Sequence, residues 1–357
     1  GTLNGVNVGA FTDVGGGSYT MTYTVASGNT DRTAGQTPLS LVFADSAGNV
    51  NNAFTSLTES SGLIIDANAP AATTSATVAG GTAKVGDVIT VTIVASESGL
   101  TCTGCTMNGV ALASFTNVGG GNSYTATYTV VEGNTDRAAG ATPISIVLTD
   151  AAGNSNAAFT SLTESSAQII DANSPGATIS SVTVNNGAST NTAIVSIAIN
   201  TGESTTGFAA EDITVSGCTL GNFAGSGSSY TAICTATSDG TSTVSVGAGG
   251  YTDGAGNGNT ISNTYTWTYD GTAPTMTIAS TTNGVSDGSK TNDGEIALTF
   301  TSSEATTNFV ATDISVTGGT LSDFSGSGTD YTATFTPSGD GATTVDVGAT
   351  FTDAVGN

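Results

Sequence analysis

Two stretches of this chain are near copies of one another, 101 positions apart: FAAEDITVSGCTLGNFAGSGSSYTA at 208–232 and FVATDISVTGGTLSDFSGSGTDYTA at 309–333. At the end of the second copy, Tyr331, Ala333 and Phe335 alternate with threonines. A period of two places the apolar side chains on one face of a strand and the threonines on the other. Threonine suits the wet face because its branched side chain is stiff at χ1. The copies therefore predict β-strands with one buried face.

The first half of the chain carries a related repeat with a longer period. The segment FTSLTESS occurs at 54–61 and again at 159–166, which is an offset of 105. GGGSYTMTYTV around Tyr19 matches GGGNSYTATYTV around Tyr124, with the same alternation. Internal repeats of this kind indicate a tandem array of similar domains.

Two short patterns mark the repeat boundaries. The pattern D-x-x-G-N occurs in all four repeats, at 45–49, 150–154, 253–257 and 353–357. A linker pattern follows three of them: DANAP at 66–70, DANSP at 171–175 and DGTAP at 270–274. We therefore expect four domains, at 1–69, 70–174, 175–273 and 274–357. About seven short strands in roughly 100 residues, separated by turn residues, predict a β-sandwich for each.

The repeats resemble bacterial immunoglobulin-like (Ig-like) repeats, cadherin-like in their linkers, of large bacterial or archaeal surface proteins. The resemblance rests on F-x-x-x-D-I, G-x-L-x-x-F, Y-x-A and D-x-x-G-N, all present in the third and fourth repeats. It implies an all-β fold of tandem Ig-like Greek-key β-sandwiches in an elongated rod. It also implies an extracellular, non-enzymatic, structural or adhesive role.

Composition excludes several other functions. Four basic residues against 28 acidic ones leave a formal charge of −24, so no basic patch for nucleic acid or anionic lipid is expected. The chain has no His, which removes the usual general base and the commonest metal ligand. No stretch reaches the ~18 consecutive apolar residues of a spanning helix, so no membrane insertion is expected in this segment.

The acidic residues that recur in the repeats are candidate calcium ligands. The simplest interpretation of D-x-x-G-N is a hairpin turn in which Gly adopts positive φ and Asp caps the backbone. Carboxylates of neighbouring repeats could also meet at each junction and bind Ca²⁺, which takes six to eight oxygen ligands. The linkers resemble those of cadherins, which implies calcium binding that stiffens the array. The candidates are Asp45, Asp66, Asn68, Glu97, Asp150, Asp171, Asn173, Glu203, Asp253, Asp270, Glu304 and Asp353. Asp212 and Asp313, each before an Ile, are interpreted instead as capping or packing residues.

The four cysteines form two close pairs, Cys102 with Cys105 and Cys218 with Cys234. An even number at short separation in a Thr-rich β chain favours disulfides and an extracellular setting. A redox-active or zinc-binding Cys-x-x-Cys is the alternative, but the βαβ context and further ligands are missing. In the fourth repeat Gly319 and Phe335 stand where the third has its cysteines, so the bridge is not a requirement of the fold.

The ends of the chain also carry an expectation. Gly1 aligns with Cys105, and Asn357 ends at a D-x-x-G-N turn, so both terminal repeats are incomplete relative to the others. We expect either a longer array or completion by neighbouring chains. The predicted role is a cell-surface filament, surface layer or giant adhesin, whose partners are copies of itself or a surface ligand, with β-strand exchange as a means of assembly. The alternatives are a spacer or carbohydrate-binding module array of a secreted hydrolase, or a phage fibre decoration.

Overall fold

A computed structural model describes residues 1–58, 62–71, 75–164 and 168–357. Parts of both FTSLTESS copies lie outside these described residues. The chain divides into two compact units, residues 1–173 and 174–357, and each is described by itself. The all-β prediction is confirmed, because the helices of the described residues are two short 3₁₀ turns, Ala210–Asp212 and Ala311–Asp313.

Unit 1 begins with five short strands that form two small sheets. They are β1 (Thr2–Leu3), β2 (Val6–Asn7), β3 (Thr12–Gly15), β4 (Ser18–Thr20) and β5 (Leu39–Ser40). One sheet has the order β2-β1-β5, and the other pairs β3 with β4. The apolar residues around these sheets are largely exposed, including Phe11 at 52% and Tyr19 at 47% of full accessibility.

The rest of unit 1 contains a larger antiparallel sheet, extended by one parallel strand, and several two- and three-stranded ones. The strands are β6 (Ser75–Val78), β7 (Thr82–Ala83), β8 (Val88–Val94), β9 (Thr101–Cys102), β10 (Thr106–Met107), β11 (Val110–Ala111), β12 (Ala113–Asn117), β13 (Ser123–Thr129), β14 (Ile144–Ser145), β15 (Leu148–Thr149), β16 (Thr163–Glu164) and β17 (Ile169–Ile170). The orders are β12-β13-β8-β6-β16, β11-β10-β14, β15-β9 and β17-β7. The core between them contains Val91, Tyr124, Tyr128 and Ile146.

The third repeat, in unit 2, has two four-stranded sheets. Its strands are β18 (Thr178–Ser181), β19 (Ser189–Thr190), β20 (Ile194–Asn200), β21 (Ile213–Ser216), β22 (Cys218–Ser226), β23 (Ser229–Ala236), β24 (Gly240–Val246) and β25 (Tyr265–Tyr269). The orders are β18-β20-β23-β22 and β19-β25-β24-β21. Val195 and Cys234 from the first sheet share one core with Val244 and Trp267 from the second. Full burial of each such aliphatic side chain contributes about 1.5–3 kcal/mol.

The fourth repeat follows the same plan with fewer strands. They are β26 (Met276–Ser280), β27 (Ile296–Thr306), β28 (Ile314–Thr317), β29 (Gly319–Pro337) and β30 (Thr344–Val347), in the orders β26-β27-β29 and β28-β30. Phe300, Phe309, Tyr331 and Phe335 form its core.

The capping interpretation of two acids is confirmed. The Asp212 carboxylate accepts the backbone N–H of Ala209 at 2.9 Å, and Asp313 accepts that of Val310 at 2.8 Å. Each acid thereby satisfies a donor at the start of a 3₁₀ turn, immediately before a strand.

Candidate functional site

The D-x-x-G-N turns hold their Asp side chain in one orientation. Asp353 Oδ1 accepts the backbone N–H groups of Val355 at 2.8 Å, Gly356 at 2.7 Å and Asn357 at 3.0 Å. Its Oδ2 accepts the Asn357 amide at 2.9 Å. Gly356 has a φ of 93°, a conformation that only Gly adopts readily. The hairpin-turn prediction is therefore confirmed, and the same Asp–Asn bond closes the turns at 45–49, 150–154 and 253–257.

In the turns at 45–49, 150–154 and 353–357, these hydrogen bonds lower the pKa of the Asp. Burial alone raises the pKa of Asp353, but the hydrogen bonds from Asn357, Val355 and Gly356 bring that pKa below its ordinary value. The pKa of Asp150 is lowered in the same way against the effect of burial. Asp353 and Asp150 are both buried, so each turn places a fixed negative charge inside the protein surface.

Three carboxylates meet within unit 2 at the linker before the fourth repeat. Asp270 follows β25, Glu304 lies in β27, and Asp353 opens the last turn. One carboxylate oxygen from each lies within 4.8 Å of the other two. The Asn357 amide also donates to the backbone carbonyl of Asp270 at 2.8 Å, which connects the turn to the linker.

The repulsion among these carboxylates affects the pKa of Glu304. Its pKa is raised, first by burial and then by the negative charges of Asp270, Asp353 and Asp239. A raised carboxyl pKa means that the ionised form is destabilised in the folded protein. The site would therefore gain from a cation that neutralises these charges.

Asp239 also lies close enough for its charge to act on Glu304, although it is not among the candidate ligands predicted from the sequence. It accepts the Gly271 backbone N–H at 2.7 Å and the Thr272 hydroxyl, which fixes the linker immediately after Asp270. The Thr272 and Gly271 hydrogen bonds lower the pKa of Asp239.

Two acids hold the other linkers in the same way. Asp31 accepts the Ala67 backbone N–H and the Asn68 amide, both at 2.8 Å. Asp136 accepts the corresponding groups of Ala172 at 2.8 Å and Asn173 at 2.7 Å. Asn68 and Asn173, predicted as ligands, therefore donate their amides to an acid. The sequence contained one signal for these linker contacts, because Asp31 and Asp136 recur at the 105-residue offset of the repeat.

The first linker gathers a looser group of acids in unit 1. The Asn154 amide lies 3.2 Å from the Asp66 carbonyl and 3.4 Å from its carboxylate. The pKa of Glu97 is raised by burial and then by the charges of Asp150, Asp66 and Asp31. Among the described residues, the 4.8 Å spacing of the Asp270 group is not reached here.

The remaining candidates are distributed between the two units. Glu203 and Asp253 in unit 2 bring carboxylate oxygens within 4.8 Å of each other. Asp171 in unit 1 donates its backbone N–H to the Ala83 carbonyl at 2.9 Å. Asp45 is exposed and belongs to no three-acid group among the described residues.

The donor set at the Asp270 linker suits a hard cation. It consists of three carboxylates, without imidazole or thiolate among the described residues, and such oxygen sets favour Ca²⁺, Mg²⁺ or Mn²⁺ over Zn²⁺. Both oxygens of Asp353 already accept hydrogen bonds within their turn, so Asp270 and Glu304 would be the more adaptable ligands.

Both predicted disulfides are present. Cys102 and Cys105 are bonded with a Cα–Cα distance of 5.8 Å, and Cys218 and Cys234 with 5.7 Å, which are ordinary disulfide separations. Cys218 and Cys234 lie on β22 and β23, which are paired antiparallel strands.

The third and fourth repeats match a family model. The model describes a bacterial Ig-like domain and matches twice in tandem, over residues 171–269 and 270–357, more than half of the chain. The chain belongs to the bacterial Ig-like domain family. Its fold is thus a tandem array of Ig-like β-sandwiches, and the sequence resemblance is confirmed.

Two solved structures are similar to this bacterial Ig-like chain. Invasin, described as a bacterial integrin-binding protein, is 14% identical, with 76% of this chain and 56% of the invasin chain covered and a TM-score of 0.29. The I9–I11 tandem of titin is 9% identical, with 78% and 94% covered and a TM-score of 0.26. The chain thus spans little more than half of invasin, and neither likeness bears on function. The comparison with curated proteins gives no significant match. Across the described residues, the structure contains no helix with the length and apolarity to cross a membrane.

Proposed function

We propose that this bacterial Ig-like chain is part of an extracellular structural or adhesive protein whose repeat junctions bind calcium. The observation that carries the proposal is the meeting of Asp270, Glu304 and Asp353 within 4.8 Å, with the pKa of Glu304 raised by its neighbours. The tandem family repeats support a role in spanning distance at a cell surface.

Calcium at this position would stiffen the array. The three acids come from the linker, from a strand of the fourth repeat and from its last turn, so one ion joins parts of the chain that are distant in sequence. Without the ion, these negative charges repel one another at short range. Calcium would replace that repulsion with attraction and restrict motion at the linker.

Calcium titration of the full chain tests this proposal. We expect calcium to release or absorb heat saturably in calorimetry and to raise the melting temperature, and EDTA to reverse the rise. Glu304→Gln should remove one bound ion, because the amide carries no charge. Glu295→Gln is the matched control, since Glu295 is exposed just before the same strand, β27. Absence of both binding heat and a change in melting temperature would overturn the proposal.

The proposed role is non-catalytic. The absence of His and the repetition of the acids from repeat to repeat support architecture over catalysis. The two disulfides support an extracellular location, since disulfides persist in oxidising compartments. The partners would be copies of the same chain, in a filament or layer assembled by β-strand exchange, or a ligand at a surface.

A carbohydrate-binding or spacer role in a secreted hydrolase, or a place on a phage fibre, would use the same fold. A glycan array distinguishes the first of these from a structural role. Saturable binding of one polysaccharide by the calcium-loaded chain would favour the module array.

A further inference from the structure

We infer that the first and second repeats each contain a clasp that fixes the linker following the repeat without a bound ion. The clasp consists of Asn108, Arg137 and Asp136 in the second repeat, and of Asn4, Arg32 and Asp31 in the first. The inference goes beyond the calcium proposal, because protein groups alone make every contact in the clasp. It assigns a linker-positioning role to Asn108 and Arg137, neither of which is a candidate calcium ligand.

Asn108 is the buried centre of the clasp in the second repeat. It lies in the two-residue turn between β10 and β11, where Asn108 and Gly109 have φ values of 53° and 76°. Such turns need positive φ at both positions, which Asn and Gly adopt most readily. Asn108 is only 6% exposed, although turn residues usually lie at the surface. A carboxamide buried in this way needs hydrogen-bond partners inside the protein.

The carboxamide of Asn108 joins separate parts of the repeat. Its Nδ2 donates to the Thr135 carbonyl at 2.8 Å and to the Tyr128 hydroxyl at 3.2 Å. Its Oδ1 accepts the Arg137 Nε–H at 2.7 Å. The Tyr128 hydroxyl, from β13, donates in turn to Asn134 Oδ1 at 2.8 Å. The segment from Asn134 to Arg137 is thus attached to the core through one buried side chain.

The attached segment holds the linker directly. Arg137 and Ile170 exchange two backbone hydrogen bonds, at 2.8 and 2.9 Å. Asp136, one position before Arg137, accepts the Ala172 backbone N–H at 2.8 Å and the Asn173 amide at 2.7 Å. Ala172 is fully buried. Arg137 therefore fixes the backbone from which Asp136 binds the linker.

The first repeat contains the same contacts. Asn4 is 4% exposed, and its Nδ2 donates to the Thr30 carbonyl at 2.7 Å and to the Tyr23 hydroxyl at 3.2 Å. Its Oδ1 accepts the Arg32 Nε–H at 2.8 Å. Arg32 and Arg137 are the two arginines of the chain, so both occupy this one position. The recurrence of every contact in a second copy supports a common role for the clasp.

The linker at Asp270 is held differently. The third repeat contains no Arg, and Asp239 holds its linker next to the three-acid group that contains Asp270. We therefore expect the first two linkers to stay ordered when calcium is removed. The linker at Asp270 should be the one whose order depends on the ion.

Hydrogen exchange of the full chain in EDTA tests the clasp, with the Ala172 amide as the readout. Asn108→Gly removes the carboxamide and keeps the turn, because Gly adopts positive φ freely. We expect the Ala172 amide to exchange at least about tenfold faster in this variant, since Asp136 loses its fixed position. Asn117→Ala is the matched control, because this exposed Asn of the same repeat bonds the Gly121 carbonyl within its own loop.

A second amide separates the clasp from a general loss of stability. Val91 lies in β8, between β13 and β6, so its amide exchanges when the core of the repeat opens. In Asn108→Gly the acceleration at Val91 should be much smaller than that at Ala172. Arg137→Met keeps an unbranched side chain and removes the donor, and it should give the same contrast between the two amides.

Three outcomes would overturn the inference. The first is an Ala172 amide that is protected in calcium but not in EDTA in the native chain, because the ion would then hold the linker. The second is unchanged exchange of Ala172 in Asn108→Gly. The third is equal acceleration at Ala172 and Val91, which would mean a loss of the fold. A calcium titration without binding leaves all three readouts in place, so the clasp and the calcium proposal can fail separately.

Discussion

The Phe335 ring of the fourth repeat lies directly over Gly319, where the third repeat joins Cys234 to Cys218 by a disulfide. A Cβ atom added to Gly319 would stand 2.4 Å from Phe335 Cζ, closer than such atoms approach in proteins. Phe335 is only 2% exposed. The two repeats therefore hold equivalent positions together in different ways, one with a covalent bridge and one with an aromatic ring on a glycine.

Gly319→Ala should destabilise the fourth repeat by about 1–3 kcal/mol, the usual cost of overpacking a core. The added methyl group would have to displace a buried ring. Differential scanning calorimetry of the full chain measures the loss. Gly339→Ala is the control, because that glycine has open space around its Cα and lacks positive φ. Equal stability of the two variants would contradict the packing described for Phe335.

Removal of the Cys218–Cys234 bridge with Cys218→Ala and Cys234→Ala should cost roughly 3 kcal/mol, as the chain-entropy model gives for a loop of this size. Urea unfolding followed by the fluorescence of Trp267, the single Trp of the chain, reports on the third repeat. The pair Cys218→Gly with Cys234→Phe should recover part of the loss, because it copies the fourth repeat. If the glycine–phenylalanine pair is less stable than the double alanine variant, the two positions are not equivalent.

Tyr251→Phe should leave the third repeat as stable as before or make it more stable. The Tyr251 hydroxyl is buried without a hydrogen-bond partner among the described residues, and burial raises its pKa to about 12. An unsatisfied buried hydroxyl costs free energy, and the fourth repeat has Phe351 at the equivalent position.

Tyr331→Phe in the fourth repeat is the contrasting change. There the hydroxyl shares a 2.7 Å hydrogen bond with Thr306, which is also buried. Its removal should cost about 0.5–1.5 kcal/mol, because the threonine hydroxyl loses this hydrogen bond and keeps only a longer one, at 3.4 Å, to the Gly328 carbonyl. Calorimetry of both variants measures the change in stability. A loss of stability for Tyr251→Phe as large as that for Tyr331→Phe would contradict the prediction.

Glu304→Gln should stabilise the protein at neutral pH when calcium is absent. The folded-state pKa of Glu304 is raised, so its contribution to stability is complete below the ordinary value of 4.5 and is lost as pH rises through the raised value. Glutamine removes this loss, so the melting temperature in EDTA should be higher than that of the native chain at pH 7 and similar at pH 4. In saturating calcium the order should reverse. A variant that melts lower than the native chain in EDTA at pH 7 would contradict the repulsion at this site.

The sequence predicted the strands and turns because their signals are local. The alternation around Tyr124 and Tyr331 fixes which side chains are buried, and both tyrosines are in the core. The Asp of each D-x-x-G-N turn accepts backbone N–H groups and the Asn amide from within the same five residues, so a five-residue pattern suffices. Cys218 and Cys234 were paired correctly because a short connection joins their strands.

The acidic group at the linker was predicted only in part. Asp31, Asp136 and Asp239 were all missed, because each is distant in sequence from the linker residue that it binds: 36 positions for Asp31 and Asp136, and 32 for Asp239. The change of spacing hides the equivalence in the sequence. Asn68 and Asn173 were recognised as linker residues, but their hydrogen bonds to acids could not be inferred from the linker pattern alone.

The sequence by itself determined the repeats, the alternating strands, the turns and the disulfide pairs, because each depends on residues that are neighbours or on a constant offset. The tertiary structure decided which acids share one position and which apolar faces are covered. Asp270, Glu304 and Asp353 are far apart in the chain, and their oxygens meet only after separate strands pack. Tyr19 and Tyr124 belong to the same sequence pattern, yet one is 47% and the other 2% exposed. Burial depends on the strand that lies across a face, and a residue's own neighbours in sequence do not specify that strand.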